Sequence, residues 1–295
     1  MPTYNRFNIV QETIQKTIAI HSLIEFEIIV VNDGEPLPFK ISHPKLTILK
    51  NPKKGVTSAR NYGAAHAQYA ILFFIDDDMW ITAESLNQIL YLNQKEILKN
   101  DCALLNWRYP DELIQSMYKN KIGRYLLNAN YHTLEGRLGR KLDNNEKLIQ
   151  LNSIGSGSFV IANHNFNKVG GYNDTILFQG EDIDLSNKLN AQGVKIYLDT
   201  KLTCYHNQKD RLDIDGYIDR EHRGYTSQFN KTGKTFATHT PLKQFIYTLL
   251  IPFNAVFKLL FQLIPNNSIF DFITFKTIGI LTSIVYFKAY YNAEK

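Results

Sequence analysis

Three short apolar runs, each followed by polar residues, constrain the fold of this chain more than any other feature. Residues 28–31, 46–49 and 71–75 are four or five residues long and nearly all apolar. Runs of this length are typical of strands that are covered on both faces. Residues 8–23 and 84–99, in contrast, carry apolar side chains at helical spacing. The alternation predicts an α/β fold with a mostly parallel central sheet flanked by helices.

Composition narrows the class of protein. Charged residues make up 21% of the chain and aromatic residues 13%, which excludes a disordered or low-complexity chain. The formal net charge of +5 is small for 295 residues, so we expect no nucleic-acid partner. Two cysteines, Cys102 and Cys204, exclude a disulfide framework and a multi-cysteine zinc site. The first residues lack the apolar segment of a secretion signal, which favours a cytoplasmic location.

A change of composition near residue 240 predicts a first domain of residues 1–240 and an apolar helical tail of residues 241–295. Two stretches of the tail, residues 242–264 and 269–287, are rich in Phe, Leu and Ile. Charged residues interrupt both stretches before they reach the roughly 20 continuous apolar residues of a spanning helix. The tail therefore favours helices that lie in the membrane interface, with peripheral contact through residues 242–287. The alternative is a soluble helical layer packed on the first domain.

Acidic residues follow two of the predicted strands. Asn32 and Asp33 follow the first apolar run, and Asp76, Asp77 and Asp78 come directly after the third. Ligands of open α/β sheets bind outside the carboxyl ends of the strands, so these groups are expected to line one crevice. Adjacent carboxylates repel one another unless a cation compensates them, and oxygen ligands suit Mg²⁺ or Mn²⁺. The pattern predicts a divalent metal site; the alternative is an acidic turn that caps the next helix.

Seven segments resemble a known family in their order and spacing. They are Pro2-Thr3-Tyr4-Asn5-Arg6, residues 27–34, residues 55–63, residues 74–78, Gly170-Gly171-Tyr172, residues 180–185 and Tyr205-His206. Together they closely resemble the family 2 glycosyltransferases, which have the Rossmann-like GT-A fold. The resemblance covers residues 2–206. It implies an enzyme that uses Mn²⁺ or Mg²⁺ and moves a sugar from a nucleotide-diphosphate sugar, with a UDP-sugar expected, to a hydroxyl group.

The resemblance also implies residue roles. It assigns the nucleotide sugar to Pro2, Thr3, Tyr4, Asp33, Arg60, Asp76 and Asp77. It assigns the metal ion to Asp78 and His206. These residues could also have a purely structural role. An aspartate in Asn-Asp-Gly is a good turn residue, and a lone histidine is often structural.

The general base is assigned to Asp182, with Glu181 as the alternate or as a residue that orients the acceptor. Direct displacement at the anomeric carbon would invert its configuration. The alternative for both residues is helix capping, because acids are favourable at a helix N-terminus.

One departure from the family concerns the first strand. In the family an apolar strand precedes the Pro-Thr-Tyr-Asn segment, whereas only Met1 precedes it here. We therefore expect a missing or truncated first strand, with a gap beside the nucleotide pocket.

These observations predict an inverting glycosyltransferase that acts on a saccharide or a lipid-linked saccharide in cell-surface polysaccharide synthesis, at the cytoplasmic face of the membrane. Two alternatives stay open. One is a nucleotidyltransferase that activates a sugar phosphate, although the glycine-rich, basic N-terminal signature of such enzymes is missing. The other is a non-catalytic protein that binds nucleotide sugars.

Overall fold

Two compact units make up the chain. The computed structural model describes residues 1–143, 145–155, 157–176, 180–232 and 241–292. The first unit consists of Met1–Pro110 and Thr133–Asn207, and the second consists of Asp111–His132 and Gln208–Lys295. The second unit thus takes in a segment from the middle of the predicted first domain. The predicted boundary at residue 240 lies outside the described residues.

The strands all lie in the first unit. They are β1 (Pro2–Thr3), β2 (Ile28–Asn32), β3 (Leu46–Lys50), β4 (Ile71–Ile75), β5 (Met79–Trp80), β6 (Cys102–Arg108), β7 (Leu148–Leu151), β8 (Ser158–Ala162) and β9 (Ile196–His206). Three of them, β2 to β4, coincide with the apolar runs of the sequence.

The strands form two sheets. The first has the order β1-β2-β3 and is parallel throughout, with Val31 opposite Pro2 and Leu46 opposite Ile28. The second has the order β4-β8-β6-β9-β5, with β7 added on β9. In the second sheet only β6 and β9 are parallel, and the other pairs are antiparallel. The predicted α/β fold is confirmed, and its parallel character belongs to the first sheet.

The helices are divided between the units. The first unit contains α1 (Phe7–Ile18), α2 (Val56–Ala65), α3 (Ala83–Gln94), α4 (Ile97–Asn100), α7 (Leu134–Leu138), α8 (Asn163–Lys168) and α9 (Glu181–Ala191). The second contains α5 (Asp111–Tyr118), α6 (Lys121–Asn128), α10 (Ile214–Thr232), α11 (Pro241–Leu250), α12 (Asn254–Leu263) and α13 (Asp271–Asn292).

Local sequence explains where several of these elements lie. Helix α1 buries Ile9, Val10 and Ile14, which share one face at the helical repeat. Helix α3 begins at a reciprocal cap, in which Ser85 N donates to Thr82 Oγ1 and Thr82 N donates to Ser85 Oγ. Burial of the strands fixes their carboxyl ends, so that the polar residues after β2, β4 and β9 are held by rigid elements.

An apolar cleft of about 400 Å³ lies beside Met1 in the first unit. We call this space the apolar cleft; its walls include residues 28–29 of β2, all of β4, and Ala64 and Ala67. Strand β1 is only two residues long, although Met1 extends its pairing because Val31 N donates to Met1 O at 2.9 Å.

The second unit has its own core. Side chains from α6, α10, α12 and α13 form it: Ile122, Ile214, Tyr217, Ile218, Phe261, Ile278, Leu281 and Val285. Polar contacts hold α6 to the tail, because Lys121 Nζ donates to the Ile264 carbonyl at 2.9 Å and Arg124 Nε donates to Asp271 at 2.8 Å. The middle segment of the chain and the tail therefore fold together.

Two stretches of this unit are apolar and long enough to cross a membrane. They are Leu242–Leu263 and Ser268–Asn292, and the most apolar windows of the two are 6% and 33% buried. Length and composition alone are weak evidence for a membrane helix, since core helices have the same properties. The low burial of the first stretch leaves Phe245, Leu249 and Leu259 exposed.

Candidate active site

Three consecutive carboxylates at the end of β4 contact different partners. The Asp76 side chain is 37% exposed and pairs with Arg60, with Asp76 Oδ1 2.9 Å from Arg60 Nη2. Asp77 turns inward, accepting a hydrogen bond from Thr3 Oγ1 at 2.8 Å and another from Arg6. Asp78 is fully buried. Because cations and hydrogen-bond donors contact the carboxylates, the repulsion between these three side chains is reduced.

Asp78 contacts one residue that the sequence predicted at the site, His206, and one that it did not, Arg6. Its Oδ1 lies 3.2 Å from His206 Nε2, and its Oδ2 lies 2.9 Å from Arg6 Nη2. The pairing of Met79 with His206 places the end of β9 next to the acidic turn. The two residues predicted to hold a metal ion are therefore in contact.

Burial shifts the pKa of Asp77, the middle carboxylate. It raises the pKa of Asp77 to about 6, against the opposing effect of Arg6 and Thr3. The Asp77 carbonyl also accepts a hydrogen bond from Thr13 Oγ1 at 2.7 Å, so α1 helps to hold this turn in place. Asp77 was predicted to bind the nucleotide sugar; it is buried against Thr3 and Arg6, and its role stays a prediction.

Arg60 joins the acidic turn to the start of α9. Its Nη1 lies 3.0 Å from Glu181 Oε1, while its Nη2 holds Asp76. Burial lowers the pKa of Arg60, but interactions with Tyr172, Asp76, Asp182 and Glu181 outweigh it, so the net shift is upward. The guanidinium also lies 5.3 Å from the centre of the Tyr172 ring. Three segments, around Asp76, Tyr172 and Glu181, thus converge on one buried cation.

The predicted base lies at the beginning of a helix. Helix α9 starts at Glu181, directly after Gly180, whose φ of 85° falls in the left-handed region that favours glycine. Glu181 is buried and faces Arg60, whereas Asp182 is half-buried. Both acids sit in the first turn, where the helix dipole stabilises negative charge. The arrangement is compatible with capping and with catalysis.

Asp33 connects the first sheet to α2. Its carboxylate accepts from Gly55 N at 3.0 Å and from Asn51 Nδ2 at 2.6 Å. Gly55 precedes α2 with a φ of 122°, a backbone conformation that residues other than glycine rarely adopt. These contacts tie Asp33 to the segment that precedes α2 rather than to its own turn, and its predicted contact with the nucleotide stays a prediction. Pro2 and Thr3 are buried in β1, and Tyr4 is exposed.

Aromatic residues surround His206. The Trp107 ring stands edge-on to the imidazole with 4.7 Å between centroids, and the Tyr109 ring lies 6.1 Å away. Arg137 lies over Trp107 at 4.0 Å and donates to the Trp107 carbonyl at 2.8 Å. Sequence reasoning missed Arg6, Trp107 and Arg137. Only Arg6 gave a signal, because it ends the Pro-Thr-Tyr-Asn segment.

The contact between Asp78 and His206 fits a metal site with two protein ligands. Donors bound at about 2.1 Å on neighbouring corners of an octahedron lie roughly 3 Å apart. Asp78 Oδ1 and His206 Nε2 are separated by 3.2 Å. Within the described residues no group of three His, Cys, Asp or Glu side chains forms a fuller site. Such an ion would complete its coordination with water and phosphate oxygens.

A family profile matches the N-terminal part of the chain. Residues 1–145, just under half of the chain, match the sequence profile described as Glycosyl transferase family 2. Over these residues the chain is similar to glycosyltransferase family 2. The resemblance deduced from the sequence is thus confirmed there, although the segments around Asp182 and His206 lie beyond the matched residues. No curated protein matches the chain in sequence.

The chain has a GT-A-like fold and is similar in structure to solved proteins. The structure of GalNAc-T7 with UDP, GalNAc and Mn²⁺ aligns with a TM-score of 0.50 and 12% identity over 93% of the chain. The structure of S. aureus TarS aligns with a TM-score of 0.49 and 12% identity over 99% of the chain. The chain spans about half the length of these two proteins, 53% of GalNAc-T7 and 54% of TarS. At this identity the likeness concerns the fold alone.

Proposed function

We propose that the chain is a metal-dependent, inverting glycosyltransferase that uses a nucleotide-diphosphate sugar, with a UDP-sugar expected. One observation carries the proposal: Arg60 contacts both Asp76, at the end of β4, and Glu181, at the start of α9 beside Asp182. Residues predicted to face the donor and residues predicted to face the acceptor therefore lie in one cluster. The family match over residues 1–145 supports the same activity.

The donor would bind on the sheet side of this cluster. Asp33 and residues 2–4 would contact the base and ribose, with Asp76 near the ribose and Asp77 holding Thr3 in place. Arg60 would face the diphosphate, because a guanidinium suits phosphate oxygens. A divalent ion held by Asp78 and His206 would stabilise the charge that grows on the leaving diphosphate.

Asp182 would accept the proton of the acceptor hydroxyl. Glu181 is engaged by Arg60 at 3.0 Å and buried, so its carboxylate is less available than that of Asp182. The hydroxyl oxygen would form its bond to the anomeric carbon on the face opposite the diphosphate, and the configuration would invert. The proton needs to leave only as that bond forms, so an ionised carboxylate is sufficient.

The tail suggests where the acceptor is found. Exposed apolar side chains of α11 and α12, together with lysines, suit peripheral contact of residues 242–287 with an anionic membrane. A saccharide or lipid-linked saccharide at the cytoplasmic face, in polysaccharide synthesis, would be the acceptor.

A screen of nucleotide sugars tests the activity. The full chain should release nucleoside diphosphate from one donor in the presence of Mn²⁺, and more rapidly when a saccharide acceptor is added. Turnover only with a nucleoside triphosphate plus a sugar phosphate would favour the nucleotidyltransferase alternative. Donor binding without any release would favour the non-catalytic alternative.

A further inference from the structure

Arg6 stands between two of the three carboxylates. It donates from Nη1 to Asp77 Oδ1, and its Nη2 lies 2.9 Å from Asp78 Oδ2. The arginine side chain is only 19% exposed, and the Asp78 side chain is 0% exposed. A planar guanidinium with parallel donors suits two neighbouring carboxylates better than an ammonium group. The turn therefore contains a built-in cation.

This cation shares a carboxylate with the candidate metal site. The second oxygen of Asp78, Oδ1, faces His206 Nε2 at 3.2 Å. An ion held by Asp78 and His206 would thus bind a carboxylate whose other oxygen contacts a guanidinium. Two cations on one carboxylate repel each other, and burial makes the repulsion stronger than in water.

The backbone around Arg6 is fixed from both sides. Val10 N donates to the Arg6 carbonyl at 3.0 Å, which ties the residue to the first turn of α1. The preceding Asn5 has a φ of 54°, and its Oδ1 accepts from Glu35 N at 2.8 Å. Because both neighbours are held, relief of the repulsion must come from the Arg6 side chain or from added negative charge.

We propose that Arg6 is an internal counter-cation that competes with the divalent ion for Asp78 and couples metal binding to donor binding. The inference rests on the proposed metal-dependent function. Without donor, the single positive charge of Arg6 offsets part of the negative charge of Asp77 and Asp78 and weakens metal binding. The diphosphate of the donor brings negative charge that offsets the second cation, so the ion and the nucleotide bind cooperatively.

Mn²⁺ binding to the full chain, measured by electron spin resonance with and without UDP, tests the coupling. Arg6→Gln keeps a donor for Asp77 but removes the charge. We expect its Mn²⁺ dissociation constant without UDP to fall about tenfold or more, because an adjacent opposing charge is gone. We also expect UDP to tighten Mn²⁺ binding less in this variant than in the wild type. Arg140→Gln, which breaks the exposed pair of Arg140 with Glu146, is the matched control and should change neither value.

A measurement on the wild type covers the case in which Arg6→Gln does not fold. The Nε resonance of Arg6, assigned by its absence in Arg6→Lys, should move when Mg²⁺ and UDP saturate the protein. The Arg140 resonance should stay in place.

The failure of the inference and that of the proposed function give different results. If Asp78→Asn abolishes Mn²⁺ binding but folded Arg6→Gln binds it no tighter, or if the Arg6 resonance stays unmoved at saturation, the role of Arg6 is wrong and the metal site stands. If the wild type and every variant bind no Mn²⁺ even with UDP, the metal site and the role of Arg6 are both wrong.

Discussion

At the scale of single residues, two arginines each contact two acids. Arg60 holds Asp76 and Glu181, Arg6 holds Asp77 and Asp78, and little of this network is exposed. Breaking one partner of a buried pair leaves an uncompensated charge, which costs more than the pair itself contributes. Conservative amide substitutions are therefore the appropriate probes of this site.

Asp182→Asn should reduce the rate of sugar transfer by roughly 10²–10⁴-fold, because an amide cannot accept the acceptor proton. Donor and Mn²⁺ affinity should stay unchanged. Single-turnover kinetics and nucleotide binding separate the two quantities. The control is Asp184→Asn on the same helix, where Asp184 lies 3.3 Å from Lys188. Unchanged turnover of Asp182→Asn at saturating acceptor would move the base to Glu181 or elsewhere.

The two thiols should be inert in the folded protein. Burial raises the pKa of Cys102 to about 12 and that of Cys204 to about 11, from 9.0. Only the thiolate is a strong nucleophile, so a disulfide reagent at pH 8 should react with both residues only after unfolding. The unfolded chain loses these protons first, so the free energy of unfolding should fall as the pH rises above about 9. Rapid labelling of native protein would contradict the burial of these thiols.

Residues that carry charge at strand ends were predictable, whereas their partners were not. Asp76 and Asp78 follow one recognisable strand and His206 ends another, and the structure brings Asp78 and His206, the two predicted metal ligands, into contact. Arg6 gave only the signal of its place at the end of the Pro-Thr-Tyr-Asn segment, and Trp107 gave none, because a tryptophan in a strand usually fills a core. Their contacts depend on which strands become neighbours, and that is a property of the tertiary fold.

At the scale of elements, the apolar runs predicted which segments form strands. They did not predict whether neighbouring strands pair parallel or antiparallel. The runs of residues 28–31 and 71–75 form β2 and β4 as predicted, with β2 one residue longer than its run. Strand β8 pairs antiparallel to both β4 and β6, which makes the second sheet mixed. A fully apolar strand looks the same in either direction, so the local sequence contains no information about it.

Filling the apolar cleft should stabilise the first unit. Ala67 lines the cleft, and Ala67→Leu would bury added apolar surface worth about 1 kcal/mol after ordering costs. Ala65→Leu, at an exposed position of α2, should leave stability unchanged. Urea denaturation of both variants measures the difference. A loss of stability in Ala67→Leu alone would mean that the cleft cannot accept the larger side chain.

At the scale of the whole molecule, the tail belongs to a unit that begins much earlier in the chain. Residues of α12 and α13 share a core with Ile122 of α6 and Ile214 of α10. Truncation near residue 240 would therefore unfold that core as well as remove the exposed apolar face. Surface substitutions give a cleaner test of membrane contact than truncation does.

The wild type should sediment with vesicles that contain anionic lipid, and Phe245→Gln/Leu249→Gln should bind roughly 100-fold more weakly. Both side chains are more than half exposed, so their loss should not affect the core. The control is Leu23→Gln/Tyr91→Gln, which changes two exposed apolar residues of the first unit. Wild-type protein that stays in the supernatant would contradict peripheral membrane contact.

The walls of the apolar cleft also matter for how copies of this protein meet. Within the described residues β4 pairs only with β8, and Asn163 N donates to Ala70 O at 2.8 Å. The alternation of antiparallel pairing then directs the backbone groups of Ile71, Phe73 and Ile75 away from β8, into the cleft. A strand edge of this kind is a template for a strand from another molecule. When the protein is warmed, the fraction that is lost from solution should increase with protein concentration. This dependence is expected because the first step of such aggregation joins two molecules.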